Sequence, residues 1–151
     1  MPLATGARLS AWGLTESSAG SDAAAMRTTA TRDGDDWVIN GSKQFITHGR
    51  YGDLIVVMAV TNKAKGNRGI SAFIVERGTP GFRAGKKEEK LGMRASETSE
   101  VIFDQCRVPA SQMLGAEGQG FINALQVLGS EEHTSELQSL AYLVCRLLLE
   151  K

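Results

Sequence analysis

The sequence predicts a mainly β fold of the sandwich or small-barrel class. Three observations point there. Short runs rich in Val, Ile, Thr and aromatic residues recur from Thr28 to Pro109. Clusters of Gly, Asp, Asn and Pro separate them at hairpin-like intervals. No helical pattern lies between the runs to carry a crossover, which argues against a parallel, doubly wound sheet.

The runs follow in order. Thr28–Thr31 and Trp37–Asn40 flank "RDGDD", a turn cluster. "VINGSKQFIT" places Asn40-Gly41 between two short runs and predicts a hairpin there, because both residues tolerate positive φ. "DLIVVMAV", Asp53 to Val60, is a continuous apolar run and predicts a strand buried on both faces. "ISAFIVER", Ile70 to Arg77, alternates more and ends at a Gly78-Thr79-Pro80-Gly81 turn. "SEVIFDQCRV", Ser99 to Val108, predicts a further strand. After Pro109, "GAEGQGFINALQVL" carries Gly115, Gly118 and Gly120, then Phe121, Ile122, Leu125 and Leu128 at helical spacing. This predicts a flexible turn into an amphipathic helix. A phosphate loop would need a preceding parallel strand and a different glycine order.

Composition narrows the function. The chain has 151 residues, enough for one domain or one domain and a piece of another. Lys+Arg and Asp+Glu are both 17, so bulk charge attracts neither nucleic acid nor an anionic membrane. No apolar run approaches the ~20 residues of a membrane span. No signal peptide is visible. Cys106 and Cys145 are isolated, and with two histidines they form no zinc spacing, so no metal site is expected. "KKEEK", Lys86 to Lys90, reads as a solvated face.

The segment "GLTESSAGSD", Gly13 to Asp22, does not fit a packed core. It is small, polar and without periodicity, which fits either an idle surface loop or a loop whose backbone approaches something other than protein. "GLTESSAGSDAAA" (Gly13 to Ala25) resembles the first signature of the acyl-CoA dehydrogenase family. "INGSKQFITHG" (Ile39 to Gly49) resembles the family's second flavin-contacting element. "LGMRASETSEVIFDQCRVP" and "LGAEGQGF" follow in family order. The resemblance covers about Pro2 to Leu128.

The resemblance implies a middle β-barrel domain over residues 1–112 and the start of a C-terminal helical domain over 113–129. It implies FAD as cofactor, with Trp12, Leu14, Thr15, Ala19, Gly20, Ser21, Phe45, Ile46 and Thr47 against it. Thr15 would hydrogen-bond the pyrimidine edge of the flavin, and Ser21 would also touch the acyl-CoA substrate. Phe45, often Trp in the family, would pack on the flavin ring without an indole N–H to donate. The Thr47 hydroxyl would reach toward N5. Glu16 and Asp22 would order the loop. Arg94, Ser96 and Thr98 would form a self-satisfied structural loop, Cys106 a small buried residue, and His48 a turn residue.

The implied reaction is α,β-desaturation of an acyl-CoA thioester, with base-assisted hydride transfer to the flavin. The catalytic base is expected in the helical domain, so no catalytic residue is assigned and the chain itself is expected to bind FAD weakly and be inactive. Implied partners are acyl-CoA and an electron-transfer flavoprotein, with a homo-oligomer, tetramer or dimer, for the full-length protein. The compartment would be the bacterial cytoplasm or the mitochondrial matrix. An acyl-CoA oxidase or flavin monooxygenase of the same superfamily shares these motifs. A non-catalytic β-barrel binding module is the reading if the chain genuinely stops at Lys151. Met1 falls in what resembles a linker, so the start is not expected to be native. "GSEEHTSELQSLAYLVCRLLLEK", Gly129 to Lys151, resembles a translated sequencing adapter, so residues 130–151 are expected to be a non-native tail. Its alternative reading is an amphipathic helix, and His133 and Cys145 are left out of any site.

Overall fold

The computed structural model describes residues 3–128. The tail expected to be an adapter product, and with it Cys145 and His133, lies outside the described residues. The chain divides into two compact units, Met1–Phe121 and Ile122–Lys151. A helix occupies residues 120–128, where the helical spacing predicts one.

Eight strands form one sheet: β1 (Ser10–Gly13), β2 (Thr29–Asp33), β3 (Asp36–Thr47), β4 (Leu54–Val60), β5 (Ile70–Glu76), β6 (Phe82–Lys87), β7 (Thr98–Pro109) and β8 (Met113–Leu114). Their order is β6-β7-β3-β2-β4-β5-β8, and β1 lies parallel to β4. Most pairs are antiparallel, as short hairpin connections require. β2 meets β4 only at Thr29 and Val60, so β1 and β2 share one edge of β4. The polar loop from residue 14 to 28 leaves from one and returns to the other.

The sheet curls. Trp37 on β3 and Phe73 on β5 have ring centroids 5.5 Å apart, although β2 and β4 lie between their strands. Three strand spacings in a flat sheet would separate them by about 14 Å. Phe82 from β6 and Met113 from β8, at opposite ends of the strand order, pack against the same core of Ile39, Ile55, Val57, Val75, Val101 and Phe103. The result is a barrel-like sheet around one core, left open between β6 and β8.

Two irregularities decide which side chains face that core. Ile39 pairs with Cys106 and Gly41 with Phe103, so Asp104 and Gln105 oppose Asn40 alone. Gln105 takes φ 51°, and the Asn40 Oδ1 accepts from its backbone N–H at 2.8 Å and its side-chain amide at 3.0 Å. Along β7 the buried positions accordingly change from 99, 101 and 103 to 106 and 108. On β3, Lys43 pairs with Val101 and Ile46 with Ser99, so Gln44 and Phe45 together oppose Glu100. Phe45 takes φ 58°.

The Asn40-Gly41 hairpin does not form. β3 runs straight through it, and the reversal occurs at Gly34-Asp35 inside "RDGDD", closing the Asp33–Asp36 pair. Gly41 answers a different need. Its φ is 145°, and a Cβ there would lie 2.5 Å from Thr28 Oγ1 and 2.7 Å from Thr28 Cα. β5 is also more buried than its sequence alternation predicts, with five of its first six residues buried and only Ile74 half-buried, because β4, β8 and the core cover it. β1, β6 and β8 are strands that the sequence reading did not single out.

Gly41→Ala is expected to destabilise the fold by about 2 kcal/mol or more, since it adds a backbone strain to a collision with main chain. Gly34→Asn is expected to stay within about 0.5 kcal/mol, because Asn tolerates the left-handed region and nothing lies within 4 Å of that site. Urea midpoints of the two variants compare the sites directly. Equal midpoints would show that Gly41 is not held by Thr28.

Candidate functional site

The 14–28 loop is tied down by a buried ion pair. Lys43 points into the sheet's interior from β3 and is fully buried. Its Nζ donates to Glu16 Oε1 at 2.8 Å and to the Leu14 carbonyl at 3.1 Å. The other acceptor directions of Glu16 are taken by the backbone N–H groups of Arg27 at 2.6 Å and Thr28 at 3.0 Å. Glu16 and Ala19 exchange both backbone hydrogen bonds across a tight turn. Gln44, next to Lys43, donates its N–H to the Thr15 carbonyl at 2.8 Å. One carboxylate therefore closes both ends of the loop onto β3.

Burial by itself would raise the Glu16 carboxyl, but the Lys43 ammonium and the Arg27 and Thr28 amides together hold it below its ordinary value. On the other side, burial lowers Lys43 by more than Glu16 raises it. Three donors converge on the Glu16 carboxylate, which keeps it charged. Such a carboxylate is a weak base with both oxygens occupied, whereas a proton-abstracting carboxylate needs a pKa raised toward neutral pH.

The β3 bulge sets the outer surface beside this loop. Lys43 faces inward, and strict alternation would turn Phe45 inward and Ile46 outward. The extra residue reverses that. Ile46 enters the core at 2% exposure, while Phe45 is 64% exposed. Gln44 fixes the bulge from two sides, through Thr15 and through its side-chain amide to Glu100 Oε1 at 2.9 Å. Beyond it, Glu97 anchors the next turn: its carbonyl accepts from His48 N–H and its Oε2 from Arg50 N–H. His48 takes φ 60° in that turn, consistent with a turn role.

The residues singled out in the sequence fall into two groups. Thr15 and Leu14 are half-buried, Gly20, Ser21, Phe45 and Thr47 are exposed, and these lie on the loop and on the bulged end of β3 that Gln44 joins. The hydroxyls of Thr15, Ser21 and Thr47 make no hydrogen bond to other described residues. A Cβ on Gly20 would meet nothing within 4 Å, so the packing of this chain does not explain the small residue there. Ala19 and Ile46 are buried, and both backbone groups of Ala19 are bonded to Glu16. Trp12 is half-buried, and its indole Nε1 is enclosed without an acceptor. Asp22 contributes only its carbonyl, to Ala25 N–H. Lys43, Gln44 and Glu97 hold the site but did not stand out in the sequence. A lysine among alternating strand residues looks solvent-facing, and only its inward parity marks it.

Other features carry no chemistry. A cleft of about 410 Å³ is lined by Lys87, Glu88, Glu89, Lys90, Arg94 and Ser96, a set of opposed charges. Lys90 and Arg94 are occupied with the Ser96 and Lys90 carbonyls, and Ser96 N–H with Met93, as a self-satisfied loop requires. Lys86 and Lys87 are exposed on edge strand β6. Cys106 is buried, and burial pushes its thiol up to about 11, which makes it inert. Gly118 and Gly120 serve close packing: their Cβ atoms would lie 2.2 Å from the Arg68 carbonyl and 2.5 Å from the Ser71 carbonyl carbon. Gly118 N–H donates to Ser71 Oγ at 2.9 Å. Among the described residues there is no cluster suited to a metal ion, and no helix is long and apolar enough to cross a membrane.

Comparison with known proteins gives the family and the fold. Residues 11–106 match the family model for the acyl-CoA dehydrogenase middle domain. The short-chain specific acyl-CoA dehydrogenase of Clostridium acetobutylicum is 51% identical over 128 residues, covering 85% of this chain and 34% of that protein. The solved butyryl-CoA dehydrogenase of Megasphaera elsdenii superposes with a TM-score of 0.82 at 52% identity, covering 84% of this chain and 33% of the other. A chain in a structure described as the electron transferring flavoprotein of Acidaminococcus fermentans gives 0.83 at 53% identity, with coverages of 84% and 33%. The chain spans about a third of the length of the relatives it matches.

The Glu16 pair gives the stability of the fold an acid limb. A carboxyl whose pKa falls on folding contributes fully above its unfolded value and loses that contribution as pH falls through its folded value. Melting temperature is therefore expected to drop below about pH 4.5, the ordinary carboxyl value, and Glu16→Gln should flatten that drop. Lys43→Met leaves an uncompensated buried carboxylate and should cost about 3–5 kcal/mol at pH 7. A Glu16→Gln variant with the wild-type acid slope would remove Glu16 as its source.

Proposed function

We propose a function from a fixed premise: this chain belongs to the acyl-CoA dehydrogenase family. The proposed function is the flavin- and thioester-contacting wall of an FAD-dependent acyl-CoA dehydrogenase, an oxidoreductase that desaturates an acyl-CoA between Cα and Cβ. The observation that carries it is the outward turn of Phe45. A bulged, left-handed backbone holds a large aromatic in solvent, beside the unengaged Thr47 hydroxyl and the loop that carries Thr15. Strain of this kind costs on the order of 1–3 kcal/mol and persists where the surroundings over-determine it.

The residues fit FAD. An exposed aromatic face suits an isoalloxazine ring. Free hydroxyls on Thr15 and Thr47 can donate to or accept from its heteroatoms. The bare backbone at Gly20 leaves room for close approach. The enclosed Trp12 Nε1 is a donor still without an acceptor. When bound, FAD supplies the two-electron acceptor that no side chain of this chain can replace.

In this reading Phe45 orients the ring by its apolar face, and the Thr15 and Thr47 hydroxyls fix its polar edges. Ala19 and Ile46 back the site from the core, and Leu14 closes the loop side. Ser21, exposed at the loop's far end, is positioned to touch the thioester ligand. Glu16 and Glu97 are structural acceptors, so the proton-abstracting base is not among them. An electron-transfer flavoprotein as acceptor is supported by the Acidaminococcus relative. A short acyl chain is supported by the names of the Clostridium and Megasphaera enzymes.

Titration of FAD with the purified chain, read by quenching of flavin fluorescence, tests the assignment. Saturable binding is expected. Phe45→Ala is expected to weaken it about three- to tenfold, and Gly20→Val at least about tenfold by blocking approach, both without a change in melting temperature. Variants that bind as tightly as wild type would place the flavin elsewhere.

A further inference from the structure

We propose that Glu16 and Lys43 are positioning residues: their buried pair holds the loop carrying Thr15 in register with the bulge that presents Phe45 and Thr47. The proposal rests on the flavin reading above and names what keeps the two halves of that wall together.

The argument starts from what a buried ion pair does not do. Removing two charges from water costs about as much as their attraction returns, and apolar substitutes of like volume are often as stable. Stability is therefore a weak reason for a fully buried lysine against a carboxylate that is 6% exposed. Direction is a better one. The carboxylate accepts from Arg27 N–H, Thr28 N–H and Lys43 Nζ, and the same ammonium reaches the Leu14 carbonyl. An apolar pair would fill the space but could not fix residues 14, 16, 27 and 28 relative to position 43.

The clamp is connected to the wall by single steps. Leu14 and Glu16, both held, flank Thr15. Thr15 accepts from Gln44 N–H, and Gln44 is the first residue of the bulge. Phe45 follows it directly. Neither Glu16 nor Lys43 reaches the exposed face, since both side chains are enclosed, so they act through Thr15 and Gln44. The absence of helix or regular strand between Gly13 and Thr29, apart from one short 3-10 turn at Ala23–Ala25, leaves few other restraints on this loop.

The experiment uses the double variant Glu16→Gln/Lys43→Met, which is neutral and keeps one acceptor for the loop amides. Residue-resolved amide exchange and FAD titration are measured together on the whole chain. The clamp predicts that the amides of Glu16, Ala19, Arg27, Thr28 and Gln44 exchange about 100-fold faster while those of Val57, Phe73 and Val101 keep their protection. It also predicts that FAD affinity falls at least about tenfold although no residue of the flavin face has changed. Unchanged loop exchange and unchanged affinity in the folded variant overturn the proposal, and so does uniform loss of protection in loop and core. If the double variant does not fold, Glu16→Gln alone is read by the same two measurements. A wild-type chain with no saturable FAD signal overturns the flavin reading and, with it, the purpose assigned to the clamp. A wild type that binds, with a folded variant that binds equally, overturns the clamp alone.

Discussion

The Lys43–Glu16 contact is the constraint on which the rest of the site depends. A curled sheet built from short strands can supply rigidity cheaply on its inner face, where Ile39, Val57, Phe73 and Val101 interdigitate. It supplies less to a long polar loop, in which Ala19 and Met26 are the buried apolar side chains. The loop from 14 to 28 meets this by sending one carboxylate inward. That group gathers two backbone amides at the loop's return and an ammonium from the sheet. Both oxygens of that carboxylate and the ammonium find partners, the condition under which such burial is tolerated.

A second device works on the outer surface. Bulges occur on β3 and on β6 at the same level, both opposite Glu100 of β7. Each lets its strand change the face it presents without leaving the sheet. On β3 the change takes an apolar aromatic out of the core and puts Ile46 in its place, so the interior stays filled while a ring is left free. The fold thus separates two requirements that usually compete: packing density within, and an apolar surface held still without.

Legibility in the sequence follows from the same physics. The run Leu54–Val60 announced its buried strand because a central strand has no polar face to show. The family signature identified the loop and the Phe45-Ile46-Thr47 element, since both are continuous in sequence. What was hidden depends on pairing partners far apart in the chain. Asn40-Gly41 carries the strongest local hairpin signal, yet Thr28 presses on Gly41 and Gln105 on Asn40, and the strand continues. β1 has only Ala11 and Trp12 between small residues, and pairs because β4 offers it a free edge. β6, with Gly85, Lys86 and Lys87, reads as polar loop because it is an edge strand with no need of alternation. Lys43 could not be recognised as a core residue until Glu16, 27 positions earlier, was placed beside it.

The outward Phe45 shows how local strain and distant contacts decide each other. A left-handed backbone at a bulky residue is unfavourable by itself. It stands here because its neighbour Gln44 is held at both ends, by Thr15 across the loop and by Glu100 across the sheet. The Glu100 side chain in turn occupies the space that Gly85 leaves open on β6: a Cβ on Gly85 would lie 2.5 Å from its Oε2. The glycine on the edge strand, the carboxylate on β7 and the amide on β3 therefore form one row. Loss of either Gln44 contact removes a restraint that holds the bulge. Strict alternation would put Phe45 inward beside Val101 and turn Ile46 out to solvent. A phenylalanine in the space that an isoleucine fills overpacks the site at a cost of about 1–3 kcal/mol, similar in size to the strain it would relieve. With the two strains similar in size, the outward Phe45 depends on the contacts that hold Gln44, on glycine at 85 leaving room for the Glu100 carboxylate, and on isoleucine at 46 filling the core.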